Sequence, residues 1–335
     1  MVLPIPRVGC RTCGTVRQVP VRLGAPRRHY TRAFAAYALE LLGGMTLQDA
    51  ANLLGVSWGL LKALQKEHLQ AHYGRPVLSQ VRRIAIDEIC IGRPRRFLTI
   101  VLDLDSHRVL FVGDGKGYGS LEPFWERVKQ AGARIEAVAL DMGPAFNAAV
   151  MGRCPNAVIV YDRYHVHKRF NDLLTFLRRD LYHEATSALH QKVLQGTRWL
   201  LLKNAENLDV HRDEHGRLEE ALRLNQPLAA AYYLKEDLRR LWDQPDKAQA
   251  KSFLKDWVAR AYASGIRRLK TFAKNLLVHR HRLLAWYDHP ISTGPLEGTN
   301  NKIKTMQRQA YGYRDIEFFV LKIYALHKVK YALVG

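Results

Sequence analysis

Four acids sit in stretches that are otherwise apolar or amide-rich: Asp87 inside RRIAIDEICIG, Asp141 at the end of IEAVALD, Asp162 at the end of AVIVYD, and Glu297 in PLEGTNNK. Carboxylates crowded into one site repel, which raises their proton affinity or calls for a cation. Magnesium meets that need through one or two carboxylates plus phosphate oxygens. Phosphodiester cleavage by two ions about 3.5–4 Å apart uses such a set, one ion at the attacking oxygen and one at the leaving oxygen. Glu88, Asp103, Asp105 and Asp114 compete for the same role, and spacing alone does not choose among them. A second chemistry is written in His279-x-x-Arg282 with Tyr311 downstream, the residue types of a tyrosine recombinase, which forms a covalent phosphotyrosine without metal. That minor alternative leaves the strands around Asp87 and the segment at Glu297 unexplained. GDGKGYG fails as a phosphate loop, because Gly117 rather than Ser or Thr follows Lys116.

The elements that must position these acids read clearly. RRIAIDEICIG, RFLTIVLDLD and HRVLFVG are short, rich in Ile, Val and Leu, and separated by turn residues, so they predict three successive strands. An amphipathic helix over 119–131, a strand at IEAVALD, a short helix after Pro144 and a strand at AVIVYD follow. The order βββαβαβ is an α/β sheet with an antiparallel meander first and parallel strands later. Asp87 falls mid-strand and Asp141 at a strand end, near the carboxyl edge where α/β folds place their chemistry. From about 163 to 290 only helical periodicity appears, which an insertion within one fold explains most simply. Upstream, Thr46 and Ser57 are suited to cap two short helices joined at Gly55, with Ala50, Ala51 and Leu54 facing Leu60, Leu61 and Leu64. This is a helix-turn-helix pattern, and Lys62 and Lys66 are the basic residues of its second helix.

Composition limits the partners. The 335 residues carry 52 Lys+Arg against 31 Asp+Glu, a net charge of +21, which points to a polyanion. With 47% hydrophobic residues the chain can bury a core. It has no apolar run long enough to span a bilayer, so no membrane partner is expected. Four scattered cysteines argue against a disulfide scaffold and for a reducing, cytoplasmic setting, associated with the nucleoid.

The motifs together resemble one family. IAIDEI, AVALDM, YDRYHVHKRFND at 161–172 and PLEGTNNKIKTMQRQAYGYRD at 295–315 stand in the order found in DDE transposases of the ISL3 insertion-sequence family. The resemblance implies a fold of class α/β: a ribonuclease H-like mixed sheet with a large all-helical insertion and an N-terminal helix-turn-helix. The expected parts are a partial zinc-ribbon-like segment at 1–30, a helix-turn-helix region at 31–78, the first part of the core at 80–165, a helical insertion at 166–290, and core helices carrying the last acid at 291–335.

Carried over residue by residue, Asp87, Asp141 and Glu297 become the catalytic triad that binds Mg²⁺ (or Mn²⁺). Lys304 follows Glu297 by seven residues, close to two turns at about 3.6 residues each, so it shares a helix face with Glu297 and is suited to a DNA phosphate. Lys302, Arg308, Lys62 and Lys66 are further DNA-binding candidates, and Asp162, His165, Asn300 and Asn301 are accessory ones. Cys10-x-x-Cys13 is the only CxxC pair. Tetrahedral zinc needs four ligands, so the Zn²⁺ site is expected to be incomplete. The resemblance implies a transposase acting on double-stranded DNA at element ends and target as a homo-oligomer. The alternative is a DNA-binding protein with an inactive or truncated core.

Overall fold

The computed structural model describes residues 6–19, 23–24, 28–92 and 96–326, without the side chains of 188–190. The chain opens with strands β1 (Arg7–Gly9) and β2 (Val16–Gln18), paired antiparallel. Helices α1 (Arg32–Leu41), α2 (Leu47–Leu54) and α3 (Trp58–Tyr73) follow. The strands β3 (Arg83–Gly92), β4 (Arg96–Asp103) and β5 (Val109–Asp114) come next, then α4 (Glu122–Gln130), β6 (Ala137–Leu140), α5 (Pro144–Arg153) and β7 (Val158–Tyr161). From there the chain is helical: α6 (Arg163–Glu184), α7 (Ala188–Gly196), α8 (Arg198–Leu202), α9 (Glu214–Leu224), α10 (Gln226–Arg239), α11 (Lys247–Ala263), α12 (Arg267–Val278), α13 (Arg280–Leu284), α14 (Gly294–Gln309) and α15 (Ile316–Ala325). The last residues of the expected final helix, 327–335, lie outside the described residues.

Two compact units result, one of residues 1–76 with 302–335 and one of 77–301. The boundary falls inside α14 and differs from the expected block at 291–335. In the first unit the local signals act as their chemistry requires. The Thr46 hydroxyl accepts the Asp49 N–H, Gly55 ends α2 in the left-handed region at φ 63°, and the Ser57 hydroxyl accepts the Leu60 N–H. Ala38, Leu42, Ala50, Ala51, Leu61 and Leu64 form the buried seam of the three helices. The final helix α15 joins this unit because Phe318, Leu321 and Ala325 bury against Leu69 of α3.

The second unit is built on one five-stranded sheet of order β5-β4-β3-β6-β7. The neighbours β5, β4 and β3 are antiparallel, whereas β3, β6 and β7 run parallel. That mixed order, with a meander on one side and parallel strands on the other, is the ribonuclease H-like arrangement. Strand β6 is apolar on both faces and β4 is buried on both over most of its length, as strands covered on both sides are. The helices after β7 continue the same core through Phe170, Trp257 and Ala273, and the Trp257 indole donates to the Leu234 carbonyl.

Candidate active site

Strand register brings the first two acids together. Ala85 of β3 is the last residue paired with β6, at Ala139, and continuing that register two residues directs Asp87 and Asp141 to neighbouring positions, close enough to act electrostatically on each other. Neighbouring strands are about 4.8 Å apart. Leu140 pairs with Tyr161 of β7, so the next step sets Asp162 beside Asp141. Three aspartates therefore occupy one row at the carboxyl edge of the parallel strands. Their environments differ.

Asp87 is half-buried, and burial pushes its carboxyl up to about 6. The Glu88 N–H and the nearby His165 pull the other way, while Glu88 and Asp141 add like charge. Glu88 is also shifted upward, by burial first and by Asp141 second, against the pull of Lys116. Asp141 turns one oxygen to the Gly143 N–H at 2.7 Å. Asp162 is 3% exposed and spends both oxygens on the backbone, accepting Tyr164 N–H at the start of α6 and Thr293 N–H just before α14. It thus serves as a cap and a tie between two segments.

Glu297 lies in the first turn of α14, exposed and with no side-chain partner among the described residues. Its helix is joined to the first acid by Asn300, whose Nδ2 donates to Asp87 Oδ2 at 2.9 Å. Asn300 is 6% exposed, and its Oδ1 has no hydrogen-bond partner. Asn301 is exposed on the same helix. Among the described residues no three carboxylate, His or Cys side chains converge into a ready-made metal cage. The physical reason is on view: Asp87, Glu88 and Asp141 repel one another, and Asp141 has turned to a backbone donor. As a donor set, these hard, mutually repelling oxygens, with an orphaned amide oxygen beside them, suit a hard divalent cation.

The basic candidates divide into two groups. Lys302 and Lys304 are exposed with no side-chain partner among the described residues, and Arg308 is exposed and donates to Thr305. Lys62 and Lys66, expected on DNA, are instead engaged within their own unit. Lys62 lies 2.9 Å from Asp315, and Lys66 lies 3.4 Å from Asp315 and 2.6 Å from Glu317. A phosphate at either lysine would share its ammonium with a carboxylate. Cys10 and Cys13 stand exposed and free of disulfides at the tip of the β1–β2 hairpin, and hydrogen bonds, first from the Cys13 backbone, draw the Cys10 thiol down to about 7. No third zinc ligand joins them among the described residues.

The rival chemistry is absorbed by structure. Arg282 donates to Asn147 Oδ1 at 2.9 Å and to the Tyr161 hydroxyl at 2.8 Å, and the His279 ring packs edge-on against Tyr161. Both residues thus brace β7. Sequence reasoning missed Lys116, which lies over the Phe97 ring and acts electrostatically on Glu88. Its only signal was a cation in a glycine-rich turn. Thr293 was also missed, because its part is played by backbone.

Comparison with known proteins shows the family. A family model described as a transposase, of the DDE type and the ISL3 group, matches residues 84–323. A second, described as the helix-turn-helix domain of transposase family ISL3, matches 19–69. The transposase for insertion sequence element IS1001 of Bordetella parapertussis is 35% identical over 97% of this chain and 81% of its own length. The transposase for IS1557 of Mycobacterium tuberculosis is 28% identical over 92% and 74%. A solved Drosophila P element transposase strand transfer complex aligns over 92% of this chain and 94% of that one, with a TM-score of 0.46 and 10% identity.

Proposed function

Because this chain belongs to the ISL3 family of DDE transposases, a family of metal-dependent enzymes that cut and join DNA, we propose that Asp87, Asp141 and Glu297 are its working acids. The observation that supports the assignment is the electrostatic closeness of Asp87 and Asp141 at the ends of two parallel-paired strands, with the helix of Glu297 hydrogen-bonded to Asp87 through Asn300. Asp87 and Asp141 are the two donors fixed by the sheet. Glu297 is the free acid of the set, on a helix end whose position is held by the Asp162–Thr293 bond. Mg²⁺ or Mn²⁺ bound by these three would neutralise charge at the attacking and leaving oxygens of a phosphodiester.

The protein's own groups then do the remaining work. The half-buried edge holds Asp87 where ionisation is costly without a cation, which favours loading with metal over a bare carboxylate. His165, close enough to act electrostatically on Asp87 and Glu88, is suited to meet the scissile phosphate. No side chain serves as nucleophile. Water attacks at an element end, the P–O bond to the leaving strand breaks, and a 3′-hydroxyl is released. That hydroxyl then attacks a target phosphodiester in line, giving up its proton as its oxygen bonds to the target phosphorus and the bond from that phosphorus to the target strand's own 3′-oxygen breaks, leaving a 3′-hydroxyl there. Lys302, Lys304 and Arg308 are the proposed phosphate contacts, and the active species is proposed to be a homo-oligomer that holds both ends.

The test is metal-dependent cleavage of a plasmid bearing the element's own ends. Asp87→Asn, Asp141→Asn and Glu297→Gln should each abolish cutting with end binding retained in a gel-shift assay. Cutting that survives in any of the three removes that residue from the set. Lys304→Ala should weaken binding on every sequence and lower the salt slope by about one phosphate. An unchanged slope removes Lys304 from the contact.

A further inference from the structure

Asn300 is nine-tenths buried, yet only one end of its amide is used. Its Nδ2 donates to Asp87 Oδ2, while Oδ1 faces no donor. Buried side-chain acceptors normally find a partner, and one that does not is either tolerated at a cost or kept for something that arrives later. The surroundings narrow what could arrive. Asp87, to which the amide donates, and Glu297, three residues earlier on the same helix, are acceptors when ionised, so neither can satisfy the amide oxygen. A water held by a divalent cation is a donor, and a loaded site would bring one to this acceptor.

The helix around Asn300 is fixed in a way that makes the contact exacting. Leu296 and Thr299 are buried and the Thr299 hydroxyl donates back to the Pro295 carbonyl, so this face of α14 is packed. Thr293 N–H is held by Asp162 just ahead of the helix. Asn300 comes three residues after Glu297, the spacing that places two side chains on neighbouring parts of one helix face. Pinning Asn300 to Asp87 therefore fixes the rotation of the helix about its axis, and with it the direction in which Glu297 projects.

We propose that Asn300 is the positioning residue of the metal site: its amide N–H group orients Asp87 and sets the rotation of the Glu297 helix, and its unpartnered carbonyl oxygen accepts a hydrogen bond from a water of the bound divalent ion. The proposal rests on the reading of Asp87 as a metal ligand, and it assigns a role to an uncharged residue outside the acid triad.

The experiment uses the full chain and Mn²⁺ alone, with free Mn²⁺ followed by its paramagnetic resonance signal and folding followed by circular dichroism. Asn300→Leu keeps the volume and the helix but removes both polar ends. Its Mn²⁺ dissociation constant should rise by about 10–100-fold, the range for partners that orient metal ligands. Asn300→Ser, smaller and still able to donate, should fall between the parent and Asn300→Leu, and it decides the question if the leucine variant does not fold. A folded variant that binds Mn²⁺ within about twofold of the parent overturns the proposal, because packing alone would leave the ion's affinity unchanged. Asp87→Asn is the control for the underlying reading: undiminished Mn²⁺ binding there removes Asp87 as a ligand, whatever Asn300 does.

Discussion

Two places in this molecule gather carboxylates, and the molecule treats them in opposite ways. Between α3 and α15, Asp315 and Glu317 meet Lys62 and Lys66 at 2.6–3.4 Å, and Asp315 is held down to about 2, first by the Phe318 N–H and then by Lys62. At the sheet edge Asp87, Glu88 and Asp141 sit among one another in a chain with 21 surplus positive charges, and none of them has an ion pair among the described residues. Cations were abundant enough to neutralise the edge. The first cluster lowers the energy of the fold, whereas the second raises it, and an arrangement that raises the energy of the apoprotein is what a site awaiting an ion looks like.

The largest effect should separate the clusters by activity. Asp141→Asn is expected to lower strand cleavage by at least about 10³-fold, since several kcal/mol of charge stabilisation are lost at about 1.4 kcal/mol per tenfold. The double change Asp315→Asn with Glu317→Gln should leave single-turnover cleavage of bound DNA within about tenfold of the parent, asparagine still being able to cap α15. Equal losses in both would mean that charge cost does not distinguish function from packing here.

A smaller effect follows from the raised carboxyl of Asp87. Its folded-state value near 6 lies above the ordinary carboxylate range, so between about pH 4 and 6 the folded chain binds more protons than the unfolded one. Stability of the metal-free protein should therefore fall as pH rises through that window. Asp87→Asn removes this loss, and its amide oxygen can still accept from Asn300. In urea unfolding with a chelator present, the variant should be about 1–3 kcal/mol more stable than the parent at pH 7 and nearly equal to it at pH 4. A variant less stable at pH 7 would show that Asp87 contributes to the fold after all.

Legibility in the sequence followed the range of the interaction. Thr46, Gly55 and Ser57 act within four residues of themselves, and their caps form as their types require. The strand runs around Asp87 and Asp141 were equally plain, since alternation and branching are local properties. What was hidden depends on pairing across the chain. Asn300 meets Asp87 across 213 residues, and Thr293 meets Asp162 across 131, through a backbone N–H that no side chain advertises. Likewise nothing near Lys66 announces Glu317, which lies 251 residues away. A basic helix face reads as a DNA surface until the fold supplies its acids.

That last contrast gives the smallest prediction. Lys62, Lys66 and Asp315 are about a quarter to a third exposed and Glu317 about two-thirds, so solvent screens these pairs and each contributes no more than about 1 kcal/mol. Lys62→Ala with Lys66→Ala removes two cations, but their fields already cancel against two acids. The double variant should lose little stability and should change the salt slope of DNA binding by less than half of one phosphate. Lys304→Ala alone, taking away an unpaired cation, should change it by about one. If the double lysine change instead costs two phosphates' worth of slope, then DNA displaces Asp315 and Glu317 on binding, and the paired cluster is as functional as the unpaired one.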